Sequence, residues 1–491
     1  MTRMLLSISL MLALTTAAAE TLTVGLDADP PRLDPALSTA FVDRQVMNQI
    51  FDKLVDVNEQ LKIVPMVAKS WKVTNGGLTY TFKLNTGIKF TDGTPLDAAA
   101  VKYSIERNMT LEGSARKGEL ASVKDVSAPD ASTVVITLKA PYGPLLAVLS
   151  DRAGMIVSPT AAKKAGADFA NSPVGSGPFS FVSRKRQDNV TLKANASYWR
   201  GKAKLDTLVY RPFPDGDVRV ANLLSGAVQI ITPVDPKDIA TIKKNTKLDA
   251  TTYQGLGFQG VWMNVTRPPF NNKQVRQAFS QTLDREAINK VVFLNTVKPA
   301  GGPFPPGTPA YSPAIKVQNA DVAAAQKKLA QAGKSNVSFT LLTSPGAVNA
   351  QLAQLYQAMA SQAGFNVKIE TVEFGTLLDR ADKRNYDAVM LGWSGRPDPD
   401  GNIYDFFHTG GVNNQAGYAN PAIDTLLEKA RAQNAMSARV ATYNVALGKI
   451  LDDAPYAFTY FSSNTIGASK ALSGVPLVPD GILRFYTADL K

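Results

Sequence analysis

Polar and apolar residues alternate in TLTVGL (21–26), LTYTFKL (78–84) and STVVITL (132–138), which predicts half-buried strands. Between the last two, Asp97 is placed to cap a helix on which Val101, Ile105 and Met109 share a face. Asn272 precedes another helix, with Val275, Ala278 and Phe279, and Asp284 a third, with Ile288, Val291 and Val292. The pattern becomes regular from Asn336. NVSFTLLTS (336–344) reads as a strand, and 349–362 as a helix turning Leu352, Leu355 and Met359 inward and ending at a left-handed Gly364. NVKIETVEF (366–374) is a strand, 377–383 a short helix, and YDAVMLGW (386–393) a strand buried on both faces. Such alternation predicts a parallel sheet, and ligands bind at the carboxyl ends of its strands. The loop in LGWSGRPDPDGNIYDFF (391–407) follows the third of these strands and is therefore a candidate site. Asn420-Pro421 starts a helix with Ile423, Leu426 and Leu427 facing in. One more, with Val440, Tyr443, Leu447, Ile450 and Leu451 on one side, precedes the aromatic run APYAFTYF (454–461). PAGGPFPPGTPAYSP (299–313) reads as a long loop inside a domain, since patterned sequence resumes on both sides.

The first residues stand apart. MTRMLLSISLMLALTTAAAE has a basic start, an apolar run too short to span a bilayer and small residues before Glu20. A secretory signal peptide over 1–19 is expected, cut between Ala19 and Glu20, and no lipid-bearing cysteine follows. A soluble periplasmic protein fits these features. The rest of the chain is long enough for two or three domains.

Charge and chemistry narrow the function. The formal net charge is +12, but the Lys and Arg residues are scattered and no aromatic-interleaved basic stripe exists, so nucleic acid is not expected as a partner. The absence of cysteine removes disulfides, thiol catalysis and thiolate zinc sites. A single histidine, His408, excludes His-pair metal motifs, and its loop-like setting suggests a surface residue. No metal and no cofactor is expected. GLGFQG (255–260) has the letters of a dinucleotide fingerprint, but a strand-like VWMNV follows where a helix should open. VGSGPF (174–179) lacks the spacing of a nucleophile elbow and reads as a tight turn before a strand. Asp398 and Asp400 could form an acid/base pair, or cap a helix or pair with an Arg. Arg396, beside Trp393 at a strand end, could hold a carboxylate in its planar fork.

Together LDP (33–35), IFDKLVDVN (50–58), VPMVAKSWKV (64–73), YTFKLNTGIKFTDGTPLDAAAVKYSIER (80–107), PFNNKQVRQAFSQTLDREAI (269–288) and YANPAIDTLL (418–427) resemble the peptide/nickel/opine family of extracytoplasmic solute-binding proteins of ABC importers. The resemblance covers essentially the whole chain after the leader. It implies an α/β fold, the two-lobed type II periplasmic-binding-protein fold, closing on its ligand like a hinged clam. Lobe one would take 20–258 plus 473–491, with an extra subdomain over about 45–165, and lobe two 259–472. The hinge would lie near 258–264 and 465–473.

The resemblance also implies ligand contacts from the segment after LDP, here Thr39, Ala40 and Phe41, and from the strand end at Trp393, Ser394, Gly395 and Arg396. Peptide-binding relatives carry an Asp three residues after that Trp, where it pairs with the peptide's ammonium group; here the position is Arg396. A guanidinium cannot accept a cation. Asp398 or Asp400 could substitute. The expected protein is a monomeric periplasmic receptor that does no chemistry and delivers a small polar ligand to an inner-membrane ABC permease. A carboxylate-bearing organic anion or amino-acid conjugate is favoured, with a di- or oligopeptide as the alternative. Nickel complexes, a hydrolase using Asp398 and Asp400, and a chaperone-like binder of unfolded chains rank lower.

Overall fold

The computed structural model describes residues 20–491; the leader predicted over 1–19 lies outside the described residues. Two long antiparallel strands, Leu248–Met263 and Tyr456–Ser469, form the middle of an eleven-stranded sheet that runs through both lobes. On one side of them lie Ala388–Met390, Val337–Thr343 and Phe365–Thr371, with the last two parallel to each other and Val337–Thr343 also parallel to Ala388–Met390. This is the parallel unit expected from the regular pattern after Asn336. On the other side Thr21–Leu26 pairs in parallel with both Ile230–Thr232 and Thr207–Pro212.

Separate cores mark the bodies of the fold. One joins Leu22, Val46, Phe51, Phe179 and Tyr210 to Leu483 and Phe485, so the C-terminal segment packs with the N-terminal part of the chain. Two others draw only on residues between Phe258 and Phe461. A fourth lies beneath a four-stranded antiparallel sheet of Ala68–Thr74, Thr79–Leu84, Val123–Asp130 and Thr133–Leu138, and runs from Leu54 to Ile156.

Local chemistry explains most element ends. Asp97 accepts from Ala100 N at 3.0 Å and starts helix Ala98–Thr110. Asn272 and Asp284 cap the next two in the same way, and Asn420 caps Pro421–Ala432. Each satisfies a first-turn N–H that would otherwise lack a partner. Gly364 has φ +97°, as the left-handed helix end requires.

Three expectations need correction. The strand expected to reach Phe374 stops at Thr371, because the Glu373 carboxylate accepts from Thr376 N and begins helix Phe374–Asp382. Val291 faces solvent rather than the core, since the buried stripe of its helix passes through Ile288, Asn289, Val292 and Phe293. YDAVMLGW is regular strand only at Ala388–Met390. Beyond it the backbone crosses so close to the neighbouring strand that a Cβ on Gly392 would meet the Gln259 side chain at 1.9 Å, and pairing resumes only as the bridge Phe258–Trp393. GLGFQG lies inside strand Leu248–Met263, with no helix opening on it.

Candidate functional site

Two adjoining chambers occupy the cleft between the lobes. The larger, of 520 Å³, is walled by Thr39, Phe41, Arg44, Arg116, Asp151, Arg152, Trp393, Ser394, Arg396 and the loop around Asp398 and Asp400. The second, of 460 Å³, shares Phe41, Trp393 and Ser394 with the first. The loop at the carboxyl end of Ala388–Met390 thus faces the cleft, where the parallel-sheet rule puts a ligand.

Of the nine residues singled out from sequence, Thr39, Phe41, Trp393, Ser394, Arg396, Asp398 and Asp400 line the larger chamber. Ala40 is the residue before helix Phe41–Ile50 and Gly395 a backbone element; neither is in the chamber wall. Gly395 has φ +86°, and a Cβ there would lie 2.2 Å from the Leu256 carbonyl carbon. Only glycine lets the loop pass this close to the long strand.

The two Asp residues are held by arginines. Asp398 takes both Nη atoms of Arg439, and Asp400 takes Nε and Nη2 of Arg431 plus the Tyr443 hydroxyl at 3.0 Å. Arg439 is fully buried and Asp398 nearly so. These pairs fasten the loop to helices Pro421–Ala432 and Met436–Asp453. Neither carboxylate faces the other as a glycosidase pair would; each is committed to its own guanidinium.

Arg396 is not paired with either Asp. Its guanidinium carbon sits 4.3 Å from the Trp393 ring centroid, a cation–π contact. Its Nη1 donates to the Gly395 carbonyl at 2.8 Å, and its Nε lies 3.9 Å from Asp151 Oδ2. With 19% of the side chain still accessible, the group opens on the chamber while protein surrounds it on the other sides.

Sequence reasoning missed the residues opposite. Arg44 Nε donates to Asp151 Oδ1 at 3.1 Å. Arg152 and Arg116 are both anchored on the Ser38 carbonyl, and Arg116 also pairs with Glu119. Four guanidiniums therefore surround Asp151 and Glu119, leaving positive charge in excess on this wall. Among the described residues, no protein acceptor meets the Nη atoms of Arg44 or Nη2 of Arg396. Burial alone would raise the Asp151 carboxyl, but Arg44, Arg152, Arg396 and Arg116 outweigh it and hold it far below the usual carboxylate range. Burial pushes Arg152 down to about 9 and Arg396 down to about 10; neighbouring guanidiniums add to both shifts and Asp151 opposes them. An anion entering here would relieve that repulsion. Only Arg44 left a local signal, one helical turn after Phe41; Arg116, Asp151 and Arg152 arrive through the fold.

His408 is away from this wall, stacked on Tyr404 with ring nitrogens against the Thr409 carbonyl and Glu428.

The chain matches the family described as bacterial extracellular solute-binding proteins, family 5 Middle, over residues 62–414. It is 30% identical to the glutathione-binding protein GsiB of Pectobacterium atrosepticum, over 96% of this chain and 95% of that protein. Among solved structures, the DppA periplasmic binding protein of Helicobacter pylori with peptide STSA aligns with TM-score 0.87 and 27% identity, covering 96% of this chain and 98% of that one. AgaA from A. tumefaciens R10, in complex with agropinic acid, aligns with TM-score 0.85 and 29% identity, covering 96% and 99%. These relatives are binding proteins, and the two-lobed fold is theirs. The chain belongs to the family 5 bacterial extracellular solute-binding proteins, the receptors of ABC importers.

Proposed function

We propose that this protein is a periplasmic receptor that captures a carboxylate-bearing organic anion or amino-acid conjugate and delivers it to an inner-membrane ABC permease, without chemistry of its own. The observation that carries this reading is the cluster of four guanidiniums around Asp151 and Glu119 on one side of the chamber, with Arg44 and Arg396 offering unused N–H donors. A carboxylate would receive charge-assisted bonds there and relieve repulsion among the arginines. Arg396 stands where peptide-binding relatives carry the Asp that takes an ammonium group, so the amino terminus of an ordinary peptide lacks that partner. The names of relatives agree in chemistry: glutathione and agropinic acid are both amino-acid conjugates with carboxylates.

Lobe one takes 20–258 and 473–491 and lobe two 259–472. The ladder between the long strands points to a hinge slightly before the expected 258–264, at the irregularity between Gln254 and Phe258. Mass spectrometry of ligand released from freshly purified, denatured protein tests the proposal, followed by calorimetry with that ligand and its amide or ester. A carboxylate-bearing ligand whose neutral derivative binds far more weakly is the expected result. A neutral ligand, or equal affinity for acid and amide, overturns it and returns di- and oligopeptides to first place.

A further inference from the structure

The two chambers differ in their charged groups. Arg44, Arg116, Arg152, Arg396 and Arg431 line the first together with five carboxylates, whereas no Lys or Arg lines the second. The second presents two carboxylates, Asp27 and Asp480. Asp480 is committed to Arg484 through both oxygens. Asp27, at the end of strand Thr21–Leu26, is exposed to the chamber and makes no side-chain hydrogen bond or ion pair among the described residues. Arg219, whose field reaches it, gives Nε and Nη1 to the Pro233 and Phe213 carbonyls and forms no ion pair with it. The remaining polar groups are neutral, Gln45, Gln259 and Asn464 among them.

A ligand that fills only the first chamber leaves this space and this carboxylate unexplained. Phe41 and Trp393 stand at the junction and offer apolar surface to a stem passing between the chambers. We infer that the second chamber is an ammonium subsite, with Asp27 as its anchor, and that the ligand is bipolar: carboxylate among the arginines, primary ammonium at Asp27. This rests on the carboxylate reading above and adds the other end of the molecule. It also restores, at a new place, a cation acceptor that position 396 does not supply. The rival acceptor is Asp405, which lines the first chamber and likewise makes no side-chain hydrogen bond or ion pair among the described residues.

Titration calorimetry on the wild type, Asp27→Asn and Asp405→Asn tests this, with glutathione and its N-acetylated form as probes. Acetylation removes the charge on the amine and adds an acetyl group, so each probe is compared with itself across the variants. For Asp27→Asn the expected result is a loss of roughly 10- to 100-fold for glutathione, the scale of one charged hydrogen bond, and no loss for the acetylated probe. Asp405→Asn should shift both probes alike and keep the wild-type preference for the free amine. If Asp405→Asn erases the preference for the free amine and Asp27→Asn does not, the ammonium sits in the first chamber and the inference is overturned. Equal wild-type affinity for the two probes overturns it as well, while leaving the carboxylate reading intact. A wild type that binds neither probe counts against both.

Discussion

Arg396 Nε faces Asp151 Oδ2 across the cleft at 3.9 Å, too far for a direct hydrogen bond and near enough for strong attraction. With the lobe boundaries proposed above the two groups come from opposite lobes, so opening the cleft would separate these charges. The same Asp151 already accepts from Arg44, which leaves Arg396 under-satisfied until an anion arrives.

Arg396→Ala should therefore weaken binding of the released ligand by about 2–5 kcal/mol, the range for truncating one partner of a buried charge pair. That is roughly 30-fold to several thousandfold in Kd. Arg396→Lys should recover part, because an ammonium lacks the planar fork. Calorimetry reads the effect directly. Near-native affinity in Arg396→Ala would remove it from the site and leave Asp151 as its internal partner, since Asp398 and Asp400 are held by Arg439 and Arg431.

Asp398 should behave differently. Its partner Arg439 is 2% exposed, so Asp398→Ala strands a buried guanidinium and should cost about 3–5 kcal/mol of stability. Replacing both, as Asp398→Ala with Arg439→Met, should return much of that loss, because no charge is then left unpaired. Thermal unfolding of the ligand-free protein measures it. A variant with unchanged Tm and lost affinity would make Asp398 a ligand group instead of a fastening.

How much of this was legible in the sequence follows from distance along the chain. Caps at Asp97, Asn272, Asp284 and Asn420 act within three residues, and all four sit where the pattern put them. The loop after Ala388–Met390 was recognisable because strand order alone fixes its place in an α/β sheet. Of the arginine wall only Arg396 was, from its place beside Trp393 at a strand end. Arg44, Arg116 and Arg152 come from three other segments, and nothing in those stretches marks them as parts of one wall. The partners of Asp398 and Asp400 were hidden for the same reason: Arg431 and Arg439 are more than thirty residues away.

Trp393 offers an optical readout. Its indole Nε1 donates to the Gly401 carbonyl at 2.9 Å and its ring carries Arg396, so it is fixed in the wall of both chambers. Ligand reaching Arg396 should change tryptophan emission, and Arg396→Ala should abolish most of that change. Trp393→Ala should cost affinity with the fold retained by circular dichroism. Loss of folding with normal affinity in the surviving native fraction would assign Trp393 to the core alone.

Stability should carry a pH signature from Asp52, which is fully buried among the donors Ser176, Tyr198 and Trp199. Burial pushes its carboxyl up to about 6, and the three hydrogen bonds and Arg200 offset this only in part. A folded-state value above the unfolded one means that the native protein binds the extra proton. Its contribution is therefore most favourable below about pH 4 and is lost as pH rises through 6. The difference between wild type and Asp52→Asn should shift by up to about 3 kcal/mol across that window, from two units at 1.36 kcal/mol each. Asp151, whose carboxyl is held low, acts in the opposite sense and only at more acid pH. Urea unfolding of both proteins at pH 4, 5, 6 and 7 checks this; a difference independent of pH would show that Asp52 does not titrate there.

Closure can be blocked at the edge of the larger chamber, where Gly143 stands between the wall residues Tyr142 and Pro144. Gly143 N donates to the Arg431 carbonyl at 3.0 Å, and Asn434 Nδ2 donates to the Gly76 carbonyl at 3.1 Å, so the segments around Gly76 and Gly143 touch the end of helix Pro421–Ala432 and the turn after it. A Cβ on Gly143 would lie 2.5 Å from the Gln433 carbonyl oxygen, too close for the two surfaces to meet as they do. Gly143→Ala should leave the fold and Tm of the ligand-free protein near native, while charging closure the overpacking cost of about 1–3 kcal/mol. Affinity should fall roughly 5- to 150-fold, and small-angle scattering should show a smaller ligand-induced decrease in radius of gyration at a fixed subsaturating concentration. Gly448→Ala, with nothing within 4 Å of the added carbon, is the control. If Gly143→Ala binds and compacts like the wild type, this contact is not part of the closed state that holds ligand.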